Sequence, residues 1–145
     1  MSPPEVKSAR FEELSARTFH DMVRLRVDAF IVEQDCPYHE LDGRDVLPDT
    51  IHVWAEDGGE MVAYLRMYPG EEGATWIGRV VTAPSHRNRG VGGMLMDAAL
   101  AMATRPVRIS AQARLQEWYA RLGFVRCGDD FVEDGIPHTP MRLDG

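Results

Sequence analysis

Glycines and arginines are concentrated at residues 87–93, and this combination of residue types suits phosphate binding. The surrounding run is Val80-Val81-Thr82-Ala83-Pro84-Ser85-His86-Arg87-Asn88-Arg89-Gly90-Val91-Gly92-Gly93. It passes from a predicted strand through a short loop into a predicted helix. Backbone N–H groups at a helix N-terminus can hold a phosphate, which approaches closely where glycine leaves no Cβ in the way. Since Arg87 and Arg89 add positive charge, we predict that the loop binds a phosphate-bearing ligand.

Two other kinds of phosphate loop do not fit this run. A P-loop requires Lys followed by Ser or Thr after its last glycine, whereas Gly92 is followed by Gly93 and Met94. A dinucleotide fingerprint requires a third small residue where Leu95 stands. A loop that only turns the chain is disfavoured because the arginines, the preceding strand and the following helix all agree with phosphate binding.

The charge pattern limits the classes of partner. The formal net charge is −7, which argues against nucleic acid as the main partner because such binders need a basic face. No carboxylate occurs from Ala74 to Met96, a segment that includes Arg79 and the glycine–arginine loop, so we expect an anion to bind there. Residues 33–49 and 129–134 are strongly acidic. Charge alone favours solvated faces for both acidic stretches.

Two ordered motifs carry a resemblance to a known family. The run from Arg87 to Gly92 matches the Q/RxxGxG/A signature of GNAT acyltransferases, and the run from Tyr119 to Phe124 resembles their YxxxGF motif. Finer resemblance to the ElaA-type branch covers almost the whole chain, in the strings LRVDAFIVEQDCPYHELDGRD, IGRVV, AQARLQEWYARLGF and EDGIPHTPM. The resemblance implies an N-acetyltransferase that moves an acetyl group from acetyl-CoA to a primary amine.

The resemblance also implies where acetyl-CoA binds. The main chain of the strand would hold pantetheine, and one amide, such as that of Val80, would polarise the acetyl carbonyl. Gln112 stands where many members carry an Asn that touches the pantetheine arm. The implied cofactor-binding residues are Val80, Val81, Thr82, Arg87, Asn88, Arg89, Gly90, Val91, Gly92, Gly93 and Gln112.

Tyr119 is where the family places the general acid that protonates the departing thiolate. A phenol titrates near 10 and a thiol near 8.5, so this transfer is slightly uphill unless the site assists it. The alternative is a half-buried core tyrosine whose hydroxyl contacts water. A non-catalytic acyl-CoA-binding module and a transferase using a longer acyl-CoA also remain alternatives for the chain as a whole.

The general base is left open by the sequence. Glu33 follows a hydrophobic run, so partial desolvation could raise its pKa and let it accept a proton. His138, Glu133 and His52 are rivals, and a water relay to several carboxylates is a further alternative. In the family, both acidic stretches border the acceptor cleft. We therefore expect a cationic amine, on a small molecule or a peptide, bound near Glu33, Gln34, Tyr38 and Glu133.

The resemblance implies a mixed α/β (α+β) fold that positions these residues. The resemblance implies a mostly antiparallel sheet of about six or seven strands, flanked by about four helices and containing a splayed strand pair. Sequence patterns predict helices over 15–30, from 90 to before Pro106, and over 115–122. They predict strands over 51–56, 60–68, 75–82, 107–111, 124–126 and 139–143, with a hairpin turn at residues 57–59.

Length and composition complete the expectations. With 145 residues, 44% of them hydrophobic, the chain suits a single domain over 1–145. Neither a membrane span nor a secretory signal is evident, so we predict a cytoplasmic protein, monomeric or homodimeric, with no membrane or nucleic-acid partner. Cys36 and Cys127 are expected to be reduced thiols. Cys36 and His39 lack a second pair of ligands, so we predict no metal.

Overall fold

The computed structural model describes residues 3–145 and contains one eight-stranded, mostly antiparallel sheet. The strand order is β1-β2-β3-β4-β5-β8-β6, and β7 pairs with β8. The strands are β1 Glu5–Arg10, β2 Ile51–Asp57, β3 Glu60–Pro69, β4 Thr75–Thr82, β5 Val107–Gln112, β6 Val125–Arg126, β7 Phe131–Glu133 and β8 Ile136–Leu143. The predicted fold class is therefore confirmed.

Helices cover both faces of the sheet. One face carries α1 (Ala16–Arg26), which widens into a π-helical segment (Val27–Glu33). The other face carries α2 (Val91–Met102), and α3 (Gln116–Arg121) packs into the same core as α2. The apolar residues of α2 that meet the sheet are Val91, Leu95, Met96 and Ala99, a spacing that places them on one side of a helix.

The sheet divides between β4 and β5, which are the only parallel neighbours among the strands of residues 3–145. They pair through Thr75 with Val107 and through Trp76 with Arg108, and beyond Trp76 the two strands diverge. The divergence coincides with a bulge in β4, where Arg79 has a positive φ of 55° and the register with β3 shifts. A bulge bends its strand and increases the local twist, so the β4 backbone turns away from β5 and a V-shaped opening forms.

Most predicted elements occur where they were expected. The hairpin joining β2 and β3 turns at Gly58 and Gly59, which both have positive φ as a tight hairpin turn requires. Two strands were not predicted. Strand β1 is a largely exposed edge with little apolar pattern, and β7 is a three-residue strand inside the second acidic stretch. These additions raise the strand count within residues 3–145 to eight, and this part of the chain contains three α-helices where about four were expected.

The first helix is shorter and more irregular than predicted. Regular α-helix ends at Arg26, and the chain continues as a π-helix to Glu33 before the loop that leads to β2. Widening of the helical turns changes the direction of the side chains at its end, which is frequent at functional sites. In residues 3–145, no helix is long and apolar enough to cross a membrane.

Candidate active site

A groove of about 1410 Å³ passes through the opening between β4 and β5. Its three parts have different characters. One end is formed by the glycine–arginine loop and Trp118, the middle by Val80, Ile109 and Tyr119, and the opposite end by Tyr68, Trp76 and Arg108. All the site residues predicted from the sequence line this groove except Arg89. The fold thus brings together segments that are far apart in the chain.

The glycine–arginine loop leads directly into the N-terminus of α2. Asn88 and Gly90 both adopt left-handed conformations, with φ of 63° and 77°, which turn the chain sharply. The first backbone hydrogen bond of the helix runs from the N–H of Met94 to the carbonyl of Gly90, at 3.1 Å. The N–H groups of Gly92 and Gly93 donate to no acceptor among residues 3–145. They form a donor pair at the positive end of the helix dipole.

Close packing leaves little room for a side chain at Gly92, at the mouth of the groove. A Cβ built on it would lie 3.3 Å from the Trp118 ring and 3.5 Å from Oγ1 of Thr82. The absence of a side chain therefore lets the helix N-terminus approach both the end of β4 and α3. By contrast, a Cβ on Gly93 would meet open space. The two unbonded donors and the missing side chain fit a phosphate group lying against this backbone.

Arg87 and Glu33 contact each other across the groove mouth. Two hydrogen bonds join the Arg87 guanidinium to the Glu33 carboxylate, at 2.7 and 2.6 Å. The hydrogen bond from Arg87 lowers the pKa of Glu33, whose side chain is about half exposed. The expectation that desolvation raises the Glu33 pKa is therefore wrong for this conformation. A carboxylate with a lowered pKa is a weaker base, so this pairing disfavours Glu33 as the general base.

Gln34 and Gln112 form a second contact across the groove. Each side-chain amide donates to the other's carbonyl oxygen, at 3.3 and 3.2 Å. Gln34 directly follows the π-helical segment, whereas Gln112 ends β5. This amide pair spans the side of the opening opposite β4. Either amide can give up its hydrogen bond to the other and form one to a ligand amide instead. The number of hydrogen bonds then changes little.

Tyr119 lies in the core with its edge on the groove. Its ring makes edge-to-face contacts with Trp118 and Phe124, and the residue is 6% exposed. Burial raises the pKa of the hydroxyl well above its usual value. The hydroxyl has no hydrogen-bond partner among residues 3–145 and is not enclosed by protein. It is therefore a protonated hydroxyl that is free to donate a hydrogen bond to a ligand in the groove.

The candidate bases differ sharply in their surroundings. The Nδ1 atom of His138 lies 2.7 Å from the carbonyl of Ile136, so Nδ1 carries the proton and Nε2 is left as an acceptor. Glu133 is exposed on β7 at the groove wall. His52 is fully buried, with both ring nitrogens hydrogen-bonded, and burial lowers its pKa. The buried position excludes His52 as a base.

Three carboxylates of the first acidic stretch are neutralised by arginines of the protein. Glu40 and Asp45 are buried and, with Asp42, form salt bridges to three arginines from other elements. We call these six residues the buried ion cluster: Arg26, Arg66, Arg79, Glu40, Asp42 and Asp45. The expectation of a solvated acidic face is wrong for Glu40 and Asp45, whereas Glu33, Asp35 and Asp49 are exposed. The charges of Glu40, Asp42 and Asp45 are not free to attract a cationic amine.

The ion cluster changes the interpretation of other residues. Burial alone would raise the pKa of Asp42, but hydrogen bonds and charge from Arg66 outweigh it and lower that pKa to about 2. Tyr38 donates to Glu40 at 2.6 Å and lies beneath the Arg79 guanidinium. Arg79 was expected to attract an anion, yet Glu40 and Asp42 already balance it. His86 is likewise paired, with Asp57 at 2.7 Å.

Two arginines at the far end of the groove were not singled out from the sequence. Arg108 stacks on Trp76, and Arg44 stacks on Tyr68. The strand register could have identified them, because Tyr68 pairs with Trp76 and Trp76 with Arg108 on neighbouring strands.

No group of three or more His, Cys, Asp or Glu side chains that could hold a metal ion occurs within residues 3–145.

Comparison with known proteins agrees with this geometry. Residues 18–144 match the family model described as an acetyltransferase (GNAT) domain. A UPF0039 protein of Mycobacterium tuberculosis is 47% identical over 139 residues, which cover 92% of this chain and 89% of the relative. The crystal structure of an acyl-CoA N-acyltransferase from Pseudomonas aeruginosa superposes with a TM-score of 0.91 at 40% identity, covering 97% of this chain and 99% of the other. That of Escherichia coli ElaA superposes with a TM-score of 0.91 at 34% identity, covering 98% and 100%.

Proposed function

Because this chain belongs to the GNAT acetyltransferase family, in its ElaA-like branch, we propose that it moves an acetyl group from acetyl-CoA to a primary amine. The protein is an acyltransferase whose fold binds acyl-CoA. The observation that carries the proposal is the pair of unbonded N–H groups of Gly92 and Gly93 at the mouth of the split sheet. We further propose that residues 1–145 form one acyltransferase domain and that it acts in the cytoplasm.

The proposed cofactor site follows the groove from the loop to the middle of the sheet. The amides of Gly92 and Gly93, with Arg87, would hold the pyrophosphate. The diverging edge of β4, at Val80, Val81 and Thr82, would offer main-chain groups to pantetheine, since no strand covers that edge. Gln112 would face the same arm from the β5 side. Asn88, Arg89, Gly90 and Val91 would shape the loop and add charge.

The acyl donor supplies a thioester, and the protein residues handle the protons. Tyr119 would donate its proton to the sulfur as the carbon–sulfur bond breaks. The raised pKa of Tyr119 opposes that transfer, but burial in the same apolar middle section also raises the proton affinity of a departing thiolate. The Nε2 of His138 would accept the proton lost by the amine. The acceptor is a primary amine on a small molecule or a peptide.

We propose that Glu33 regulates the position of Arg87. In the described conformation Arg87 is bonded to Glu33, so pyrophosphate must compete with that carboxylate. The substitution Glu33→Gln is expected to tighten acetyl-CoA binding by up to about fivefold, because pyrophosphate then no longer competes with the carboxylate for Arg87. The limit follows because a partly exposed ion pair contributes at most about 1 kcal/mol. Calorimetric titration of acetyl-CoA into both proteins measures the change.

The companion variant Arg87→Gln is the matched control for this pair. It should weaken acetyl-CoA binding, and adding Glu33→Gln to it should then have no further effect. Weaker binding in Glu33→Gln alone would contradict competition between the carboxylate and pyrophosphate. A large fall in kcat with unchanged acetyl-CoA affinity would instead identify Glu33 as the base and remove His138 from that role.

Thermal unfolding with and without acetyl-CoA tests the proposed cofactor. A ligand present at about 100 times its dissociation constant stabilises the folded protein by about 2.7 kcal/mol. For a domain of this size, that corresponds to a rise in Tm on the order of 10 °C. NAD, ATP and inorganic phosphate at the same concentration should give little or no rise.

A blocked-loop variant makes the thermal test specific to the site. Gly93→Trp has room to fold because nothing lies near its Cβ, yet its indole would fill the space in front of the helix N-terminus. Asp97→Trp, one turn further along α2 and exposed, is the matched control. The acetyl-CoA shift should disappear only in Gly93→Trp. Equal shifts with ATP, or an unchanged shift in Gly93→Trp, would refute the phosphate assignment.

A further inference from the structure

The far end of the groove is lined by aromatic rings and arginines. Tyr68, Trp76 and Arg108 occupy directly opposed positions on three neighbouring strands, so their side chains lie on the same face of the sheet. The Arg108 guanidinium lies 4.9 Å from the Trp76 ring centre, and that of Arg44 lies 4.6 Å from the Tyr68 ring centre. We call these four residues the far-end arginine floor. It begins where β4 and β5 separate.

The two arginines of this floor differ from three other arginines of the groove, although Arg114, which also lines it, likewise forms no salt bridge within residues 3–145. Arg66, Arg79 and Arg87 each form salt bridges with carboxylates. Within residues 3–145, neither Arg44 nor Arg108 forms a salt bridge; Arg44 donates to the Tyr68 hydroxyl at 2.7 Å. The guanidinium groups of Arg44 and Arg108 are therefore not held in ion pairs within this part of the chain.

Arg108 is the more incompletely satisfied of the two. Its Nε is buried without a hydrogen-bond partner, and its Nη2 contacts only the sulfur of Cys127, at 3.6 Å. Sulfur is a weak acceptor. No oxygen atom of the described residues accepts a hydrogen bond from this guanidinium. A buried donor left unbonded is costly. An arginine stacked on an aromatic ring keeps its N–H edge available to a planar carboxylate, which it can bind through two parallel hydrogen bonds.

From these contacts we propose that the acceptor amine also carries a carboxylate, and that Arg108, stacked on Trp76, binds it. The inference rests on the proposed amine acetylation and names its substrate class, amino acids and similar amino carboxylates. Arg108 lies at the base of the opening, next to the middle section that holds Tyr119. The exposed carboxylates of Asp49, Glu71 and Glu72 also line this end, and none of them forms a salt bridge to Arg108. The Arg108 guanidinium is therefore free to bind a carboxylate of the ligand.

Matched acceptor pairs test the proposal directly. Glycine with glycinamide, β-alanine with β-alaninamide, and 4-aminobutanoate with 4-aminobutanamide differ only in the carboxylate. With saturating acetyl-CoA, thiol release should give kcat/KM about 10- to 100-fold higher for the acids, which corresponds to one charged hydrogen-bonded pair. The comparison is conservative for the shortest pair, because the amine of glycinamide is less basic and so more often neutral.

Variants assign the preference to Arg108. Arg108→Gln should abolish the preference for acids by raising the KM of the acids. The kcat/KM of the amides and the KM of acetyl-CoA should be unchanged. Arg108→Lys should retain part of it, because lysine keeps the charge but not the planar pair of donors. Arg121→Gln, exposed on α3 outside the groove, is the control. A melting curve for each variant verifies folding.

The outcomes separate this inference from the proposed function. Turnover of amides equal to or faster than that of the acids refutes carboxylate recognition and leaves amine acetylation standing. A preference for acids that survives in Arg108→Gln refutes the assignment to Arg108. Failure of every amine to release thiol, although acetyl-CoA stabilises the protein, refutes amine acetylation and this inference together.

Discussion

Replacing Tyr119 with phenylalanine is expected to lower kcat by about 10²- to 10⁴-fold, the usual effect of removing a positioned general acid. The substitution removes only the hydroxyl, and the ring contacts with Trp118 and Phe124 remain. Because that hydroxyl bonds to no residue in the described part of the chain, stability should change little. Thiol release at saturating acetyl-CoA, with the best acceptor of an amine panel, measures the loss.

A second tyrosine of the same groove serves as the control for this experiment. The Tyr38 hydroxyl is engaged with Glu40, so it cannot serve a departing thiolate, and Tyr38→Phe should cost less than tenfold in kcat. Acetyl-CoA affinity should be unchanged in Tyr119→Phe, which separates chemistry from binding. A loss below tenfold in Tyr119→Phe would make Tyr119 a core residue whose hydroxyl merely contacts water.

Replacing Arg26 with methionine is expected to lower the free energy of unfolding by about 3–5 kcal/mol, the usual cost of removing one partner from a buried ion pair. Arg26 is fully buried and bonds to Glu40 at 2.5 Å and to Asp45 at 2.9 Å. Methionine fills much of the volume but leaves both carboxylates short of a partner. Urea unfolding at neutral pH measures the change.

The same helix provides a control for the loss of charge. Arg24 is exposed and lies 3.8 Å from Asp28 in a pair of the kind that contributes little. Arg24→Met should therefore change stability by less than about 0.5 kcal/mol. If Arg26→Met were as stable as Arg24→Met, the buried ion cluster would contribute no more than well-packed apolar residues would.

The sequence predicted the elements whose patterns are local. The Gly58-Gly59 turn, the β-branched strand at residues 75–82 and the helix that ends before Pro106 each depend on residues close together in the chain. Strand β1 has no such pattern, because only one face of an edge strand meets the protein and few of its residues are apolar. The π-helical continuation after Arg26 was also missed, since it keeps a helical spacing of apolar residues.

The site was predictable in its positions but not in its pairings. The loop from Arg87 to Gly93 was predicted from residue types and their order, whereas Val80, Val81 and Thr82 were implied by the family resemblance. That Glu33 would bond to Arg87, 54 positions away, or Gln34 to Gln112, depends on the three-dimensional path of the loop after α1. Charge counting failed most clearly for Glu40 and Asp45, because a sequence shows how many carboxylates a stretch holds but not which arginines enclose them.

The divergence of β4 from β5 gives this sheet inner edges as well as outer ones. Along Val80–Thr82 the β4 backbone has no neighbouring strand on the groove side, so its peptide groups are open to any extended chain that reaches them. The bulge at Arg79 and the depth of the groove make such an approach difficult. An acyl donor lying in the groove would cover this inner edge.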